Sequence, residues 1–263
     1  MMKKLRWLLL IMPFLLQAYA TKMILVKHDH SKKWISLFNG KNLQHWQPKF
    51  AGFPLGENFG NTFRIENGLL SIRYDQYDSF KNRFGALYYD QRFTNYRLRF
   101  VYRFVGNTTP GAPSWGFKDG GVQYHGQSPA SVGLTQSFPV CLEYNLHGGN
   151  GKEERPTGEI CVTGMIVEVH GKKNTSNCTS PDLKKTFNGE EWITAEIEVK
   201  DGKITHFVNG EQVVQFENPR LDSNNSVAKK MIVAGSDLVK SGYISIQSNS
   251  HPMDFKKIEI MEY

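Results

Sequence analysis

Nothing in this 263-residue chain keeps a helical period over any length. Three familiar catalytic or cofactor signatures are also missing. There is no Gly-x-Ser-x-Gly elbow, no His-Glu-x-x-His pair and no Rossmann glycine pattern. Lys and Arg number 32 against 25 acids, but they are scattered among those acids and build no basic block. That argues against nucleic-acid binding. Cysteine is scarce, with three in the chain. Beyond the first twenty residues no apolar run is long enough to span a bilayer.

Those first twenty residues read as a segment to be removed. Lys3, Lys4 and Arg6 precede an apolar run from Trp7 to Leu16, and Ala18-Tyr19-Ala20 sets small residues around a bulky one ahead of Thr21. This is the layout of a secretory signal peptide, residues 1–20. A retained anchor is the competing reading, but the run is short and Pro13 interrupts it. The signal accounts for three of the seven net positive charges, leaving about four on the exported chain. We therefore expect a periplasmic or secreted protein. Residues 21–33 form a polar lead-in, and His28-Asp29-His30 within it are read as part of that lead-in rather than as a metal site.

Export makes a disulfide reasonable. Cys161 and Cys178 enclose a polar loop and are expected to pair, with Cys141 buried in a strand.

From Trp34 onward the pattern is of short strands. Leu98, Phe100, Tyr102 and Phe104 alternate with polar residues, as do Ile193, Ala195, Ile197 and Val199. Asn67-Gly68, Asp201-Gly202 and Asn209-Gly210 mark tight turns between such runs. Many short antiparallel strands without repeat or linker predict an all-β, two-sheet sandwich in one domain, residues 34–263.

Alternation also sorts side chains by face. Val122 and Tyr124 oppose Gln123 and His125; Leu142 and Tyr144 oppose Cys141, Glu143, Asn145 and His147; Ile244 and Ile246 oppose Gln247 and Asn249. A row of amides, imidazoles and one carboxylate differs from a solvated Lys/Glu/Thr face such as that expected for 192–200. Such groups suit sugar hydroxyls, and Trp115 in the loop before Asp119 can stack on a pyranose ring. The glycine-rich loop 148–156 lacks P-loop spacing and reads as a rim.

Several motifs taken in order resemble the 3-keto-disaccharide hydrolase family. They are Leu37-Phe38-Asn39-Gly40-Lys41-Asn42-Leu43 with Trp46, then Gly120 to His125, then Glu143 within Leu142-Glu143-Tyr144-Asn145. Phe207-Val208-Asn209-Gly210, Gly242 to Gln247, His251 and Phe255 to Ile260 complete the set. The chain departs from the family pattern at Asn145, where Gln is usual, and at Lys257, where Asn is frequent. The resemblance implies a jelly-roll sandwich of the concanavalin A-like lectin/glucanase type, with its site on the concave sheet.

It also implies cleavage of a glycoside already oxidised to a ketone at C3. The ketone acidifies the C2 proton, so a base forms an enolate whose collapse expels the C1 substituent, and water then adds. On that reading His125 or Glu143 is the base, and Gln123, Asn145 and Gln247 hold hydroxyls. Arg103 or Lys118 stands near the developing oxyanion, Asp119 is a second acid or a Ca²⁺ ligand, and Trp115 and His251 contact substrate. The expected partner is an oligo- or disaccharide. A divalent metal such as Ca²⁺ is a possible cofactor, and a carbohydrate-binding module without catalysis is the alternative.

Overall fold

The computed structural model describes residues 33–263. The expected signal peptide and the His28-Asp29-His30 cluster lie outside the described residues. No helix of the described residues is long and apolar enough to cross a membrane.

The strands in order are β1 (Ile35–Ser36), β2 (Trp46–Phe50), β3 (Phe63–Glu66), β4 (Leu69–Ile72), β5 (Gly85–Phe93) and β6 (Tyr96–Phe104). The middle of the chain adds β7 (Asp119–Gly126), β8 (Cys141–His147), β9 (Glu159–Thr163), β10 (Met165–Val169), β11 (Lys172–Asn174) and β12 (Cys178–Thr179). The last are β13 (Ile193–Lys200), β14 (Lys203–Val208), β15 (Glu211–Leu221), β16 (Gly242–Ser248) and β17 (Met253–Glu262). They form two antiparallel sheets. One has ten strands, ordered β11-β10-β15-β14-β13-β6-β17-β4-β3 with β1 beside β17. The other has seven, ordered β12-β9-β8-β7-β16-β5-β2. The all-β sandwich read from the alternation is the observed fold.

Turn chemistry explains several of the hairpins. Asn67 and Gly68 both take positive φ, as do Asp201 with Gly202 and Asn209 with Gly210. Such turns match the twist of the strands they join.

The core lies between the sheets, where the inward rows meet. Phe100 of β6 packs edge-on against Tyr144 of β8, ring centroids 5.5 Å apart. One polar chain in this layer crosses between the sheets. The Tyr124 hydroxyl of β7 is 2.7 Å from His206 Nε2 of β14, while His206 Nδ1 is 2.9 Å from the Gly158 carbonyl. Burial lowers the His206 pKa to about 4, so the ring is neutral. Nδ1 then donates to Gly158 and Nε2 accepts from Tyr124, which ties the two sheets together.

The outer face of the ten-stranded sheet departs from the solvated surface expected for 192–200. Glu196 is buried between Arg97 and Arg99. The Arg99 guanidinium in turn lies 4.1 Å from the centre of the Trp34 ring.

Candidate active site

The face of the seven-stranded sheet turned away from the core carries a cleft of about 580 Å³. Register builds it row by row. Gln123 of β7 stands opposite Glu143 of β8, and Gly121 opposite Asn145. Asp119 stands opposite His147. On the next strand Glu159 pairs with Asn145 and Cys161 with Glu143. Gln247 and Asn249 come from β16 and its end, and both line the same cleft.

Glu143 is the chemical centre. The residue is 9% exposed, and burial pushes its pKa up to about 8. The neighbouring Asp119 charge raises it further, whereas a hydrogen bond from Gln123 Nε2, 3.0 Å from Oε2, opposes the rise. Gln123 is itself fixed by Ser245, whose hydroxyl donates to Gln123 Oε1 at 2.8 Å. Space for the carboxyl comes from Gly121, because a Cβ there would stand 2.5 Å from Glu143 Cδ.

A second titratable group sits beside it. His147 Nε2 is 2.8 Å from Asp119 Oδ2 and 3.1 Å from the Asn145 amide nitrogen. Its Nδ1 lies 3.4 Å from Glu159 Oε2 without a hydrogen bond. Asn145 also donates to Glu159 Oε2 at 3.2 Å, and Asn249 Nδ2 donates to Asp119. Gln247 Oε1 and Asn249 Oδ1 are buried and have no protein partner. Unpaired polar atoms lining a cleft are available to a ligand. Trp115 forms one wall, 46% exposed, with its ring stacked on Phe84 at 5.8 Å and 9°.

Trp115, Asp119, Glu143, Asn145 and Gln247 thus share the cleft, with Gln123 directly behind Glu143. The expected Cys161–Cys178 disulfide is present and lines it too, and Cys141 is a free, buried thiol.

Four expectations are corrected. His125 is not in this cleft. Between the pairs Gln123–Ser245 and Gly126–Tyr243, two residues of β7 face one of β16, a β-bulge, and His125 takes φ 47°. The bulge breaks the alternation and packs the ring against the core tyrosines Tyr96 and Tyr124. Arg103 lies on the ten-stranded sheet, where Nε and Nη2 bind Asp254 at 3.0 and 2.9 Å. Lys118 Nζ donates to the carbonyls of Asn188 and Gly189, so it holds a loop. His251 is buried against Phe104 and Phe117 with Nδ1 2.7 Å from the Thr108 hydroxyl, and it does not line the cleft.

His147 and Glu159 were not among the nominated residues. The alternation of Glu159-Ile160-Cys161-Val162-Thr163 and the position of His147 in the Glu143 row were the available signals. As for a cation, no group of three or more His, Cys, Asp or Glu side chains among the described residues is disposed to hold one. Asp119, the proposed Ca²⁺ ligand, has both oxygens engaged, by His147 and by Asn249.

The fold recurs in solved structures of low identity. A candidate glycosyl hydrolase from Parabacteroides distasonis is 18% identical with TM-score 0.55, covering 91% of this chain and 98% of its own. A Bacillus subtilis protein of unknown function with a galectin-like fold is 8% identical with TM-score 0.53, covering 88% and 94%. The exoplasmic/lumenal domain of VIP36, in its form bound to Ca²⁺ and Man3GlcNAc, is 9% identical with TM-score 0.50, covering 89% of each chain. No curated protein sequence matches the chain. Over residues 33–261 the sequence matches the family profile described as the 3-keto-alpha-glucoside-1,2-lyase-like domain, and the chain belongs to that family.

Proposed function

We propose that this protein is an exported carbohydrate-processing enzyme that cleaves 3-keto-glycosides by removing the proton on C2. The observation that carries this reading is Glu143, a carboxyl group with its pKa raised to about 8 at the floor of a cleft lined by unpaired amides. An ordinary carboxylate is too weak a base to take a proton from carbon near neutral pH, and a pKa near the working pH corrects this.

The steps follow from the residues present. Ionised Glu143 takes the C2 proton, and the C–H electron pair enters a C2–C3 double bond as the C3 carbonyl becomes an enolate oxygen. We assign the donor to that oxygen to the side-chain NH2 of Gln247, which lines the cleft. Collapse of the enolate breaks the C1–O bond, and the departing oxygen takes the proton on Nδ1 of His147, while the Nε2–H of the same ring stays on Asp119. Water adding across the resulting double bond completes net hydrolysis. Trp115 provides the stacking wall and Asn145 a hydroxyl contact. Membership of a lyase-like family supports elimination over direct displacement.

Incubating the purified protein with a 3-keto disaccharide and its unoxidised parent tests this reading. Cleavage of the keto sugar alone is expected. Binding of both without cleavage of either would leave the carbohydrate-binding module.

A further inference from the structure

A second cavity, of about 300 Å³, opens between the β5–β6 and β13–β14 turns and shares no lining residue with the cleft. His125 lines it together with Asn95, Asp201, Val199, Pro219 and Lys240. His125 is only 3% exposed, and neither ring nitrogen makes a hydrogen bond. The Thr94 backbone lies beside the ring and partly opposes the fall in its pKa, but not at full hydrogen-bond geometry. An orphaned buried polar group costs on the order of 1–3 kcal/mol. The left-handed backbone of the same residue, φ 47°, adds strain of comparable size. Two such costs at one residue that faces a cavity call for an occupant.

The lining limits what that occupant is. Burial lowers the His125 pKa to about 4, so the imidazole is neutral and offers one donor and one acceptor. A hydroxyl group matches that pair, since it both accepts and donates. The Asp201 carboxylate, hydrogen-bonded to the Asn95 amide at 3.0 Å, disfavours an anion. Lys240 at the rim and the lack of a second carboxylate in the lining disfavour a metal cation. Val199 and Pro219 give an apolar surface for ring C–H groups. The volume is at the small end for ligand sites, which suits a single ring. We infer that the His125 cavity is a second, non-catalytic carbohydrate site that holds one pyranose unit.

The inference does not depend on the catalytic reading, and ring resonances of His125 report on it directly. Full-length protein carrying isotope-labelled histidine would be titrated with glucose and, separately, with maltohexaose. We expect saturable shifts of the His125 ring signals. A response to glucose assigns the site to free sugars as well as chain ends, and a response to maltohexaose alone assigns it to chain ends. His125→Asn, which tolerates a left-handed backbone, should weaken binding at this site at least tenfold. Lys240→Trp should block the mouth, leaving His125 in place but unresponsive. His125 signals that neither sugar moves would show that the cavity holds only water, and would overturn the inference. His125 shifts of undiminished affinity in Lys240→Trp would overturn it too.

Discussion

The Glu143 carboxyl occupies the space that a side chain at residue 121 would fill, because a Cβ on Gly121 would lie 2.5 Å from Glu143 Cδ and 2.6 Å from Oε1. Gly121 does not carry a positive φ, so its lack of a side chain, rather than backbone freedom, is what the site uses. Gly121→Ala should push the carboxyl out of line with Gln123. The expected result is a fall of roughly 10²-fold in kcat/KM, since misplacing a reacting group by about 1 Å costs that much. Overpacking should also lower stability by about 1–3 kcal/mol. Steady-state kinetics beside denaturant unfolding separates the two effects.

Two neighbours act on the Glu143 pKa in opposite directions. Gln123 lowers it by a hydrogen bond to the ionised form, and Asp119 raises it by charge. As the base must be ionised, kcat/KM should rise with pH on a limb centred near 8. Gln123→Leu should move that limb to higher pH, and Asp119→Asn should move it lower. Shifts in the same direction, or none, would show that the limb does not belong to Glu143. Asp119→Asn should also reduce the rate, because Asp119 holds His147.

Stability should depend on pH through the same group. The folded pKa of Glu143, about 8, lies above the ordinary carboxyl value of 4.5. Between those values the folded state keeps a proton that the unfolded chain has lost, so stability falls as pH rises across this window. Glu143→Gln stays neutral at every pH. It should therefore be more stable than the wild type by a few kcal/mol at pH 8–9, with the difference shrinking as pH falls from 8 and gone below about 4.5. Thermal unfolding of both proteins across pH checks the sign.

Cys161 and Cys178 face each other across the β9–β12 pair, 17 residues apart in sequence, and both line the cleft. Replacing both with Ala should cost about 3 kcal/mol on the chain-entropy model. β12 is a two-residue edge strand, so its release should also loosen that wall. KM should therefore rise more than kcat falls. Unchanged stability in the double variant would contradict the structural role.

Alternation made the sandwich and most of the cleft readable. Gln123, Glu143, Asn145 and Gln247 lie on one face because their strands are regular there. His125 was misplaced two residues further along β7, since a bulge shifts the period without an obvious local signature. Gly242 was the indirect clue: a Cβ there would stand 2.1 Å from the His125 carbonyl carbon, so the bulge brings the two backbones together. Arg103 and Lys118 failed for a different reason. Asp254 is 151 residues from Arg103, and Asn188 is 70 from Lys118. No local pattern reveals such partners. Glu159 escaped notice because β9 is only five residues long and its role depends on pairing with Asn145.

That Glu143 removes the C2 proton is the central claim, and loss of deuterium from C2 of a labelled 3-keto-glycoside tests it most directly. A poor leaving group should be used, so that exchange is seen even when cleavage is slow. The wild type should wash the label out, while Glu143→Gln should do so about 10²–10⁴-fold more slowly. His125→Asn should exchange at close to the wild-type rate. Exchange at an undiminished rate in Glu143→Gln, or its loss in His125→Asn, would contradict the account.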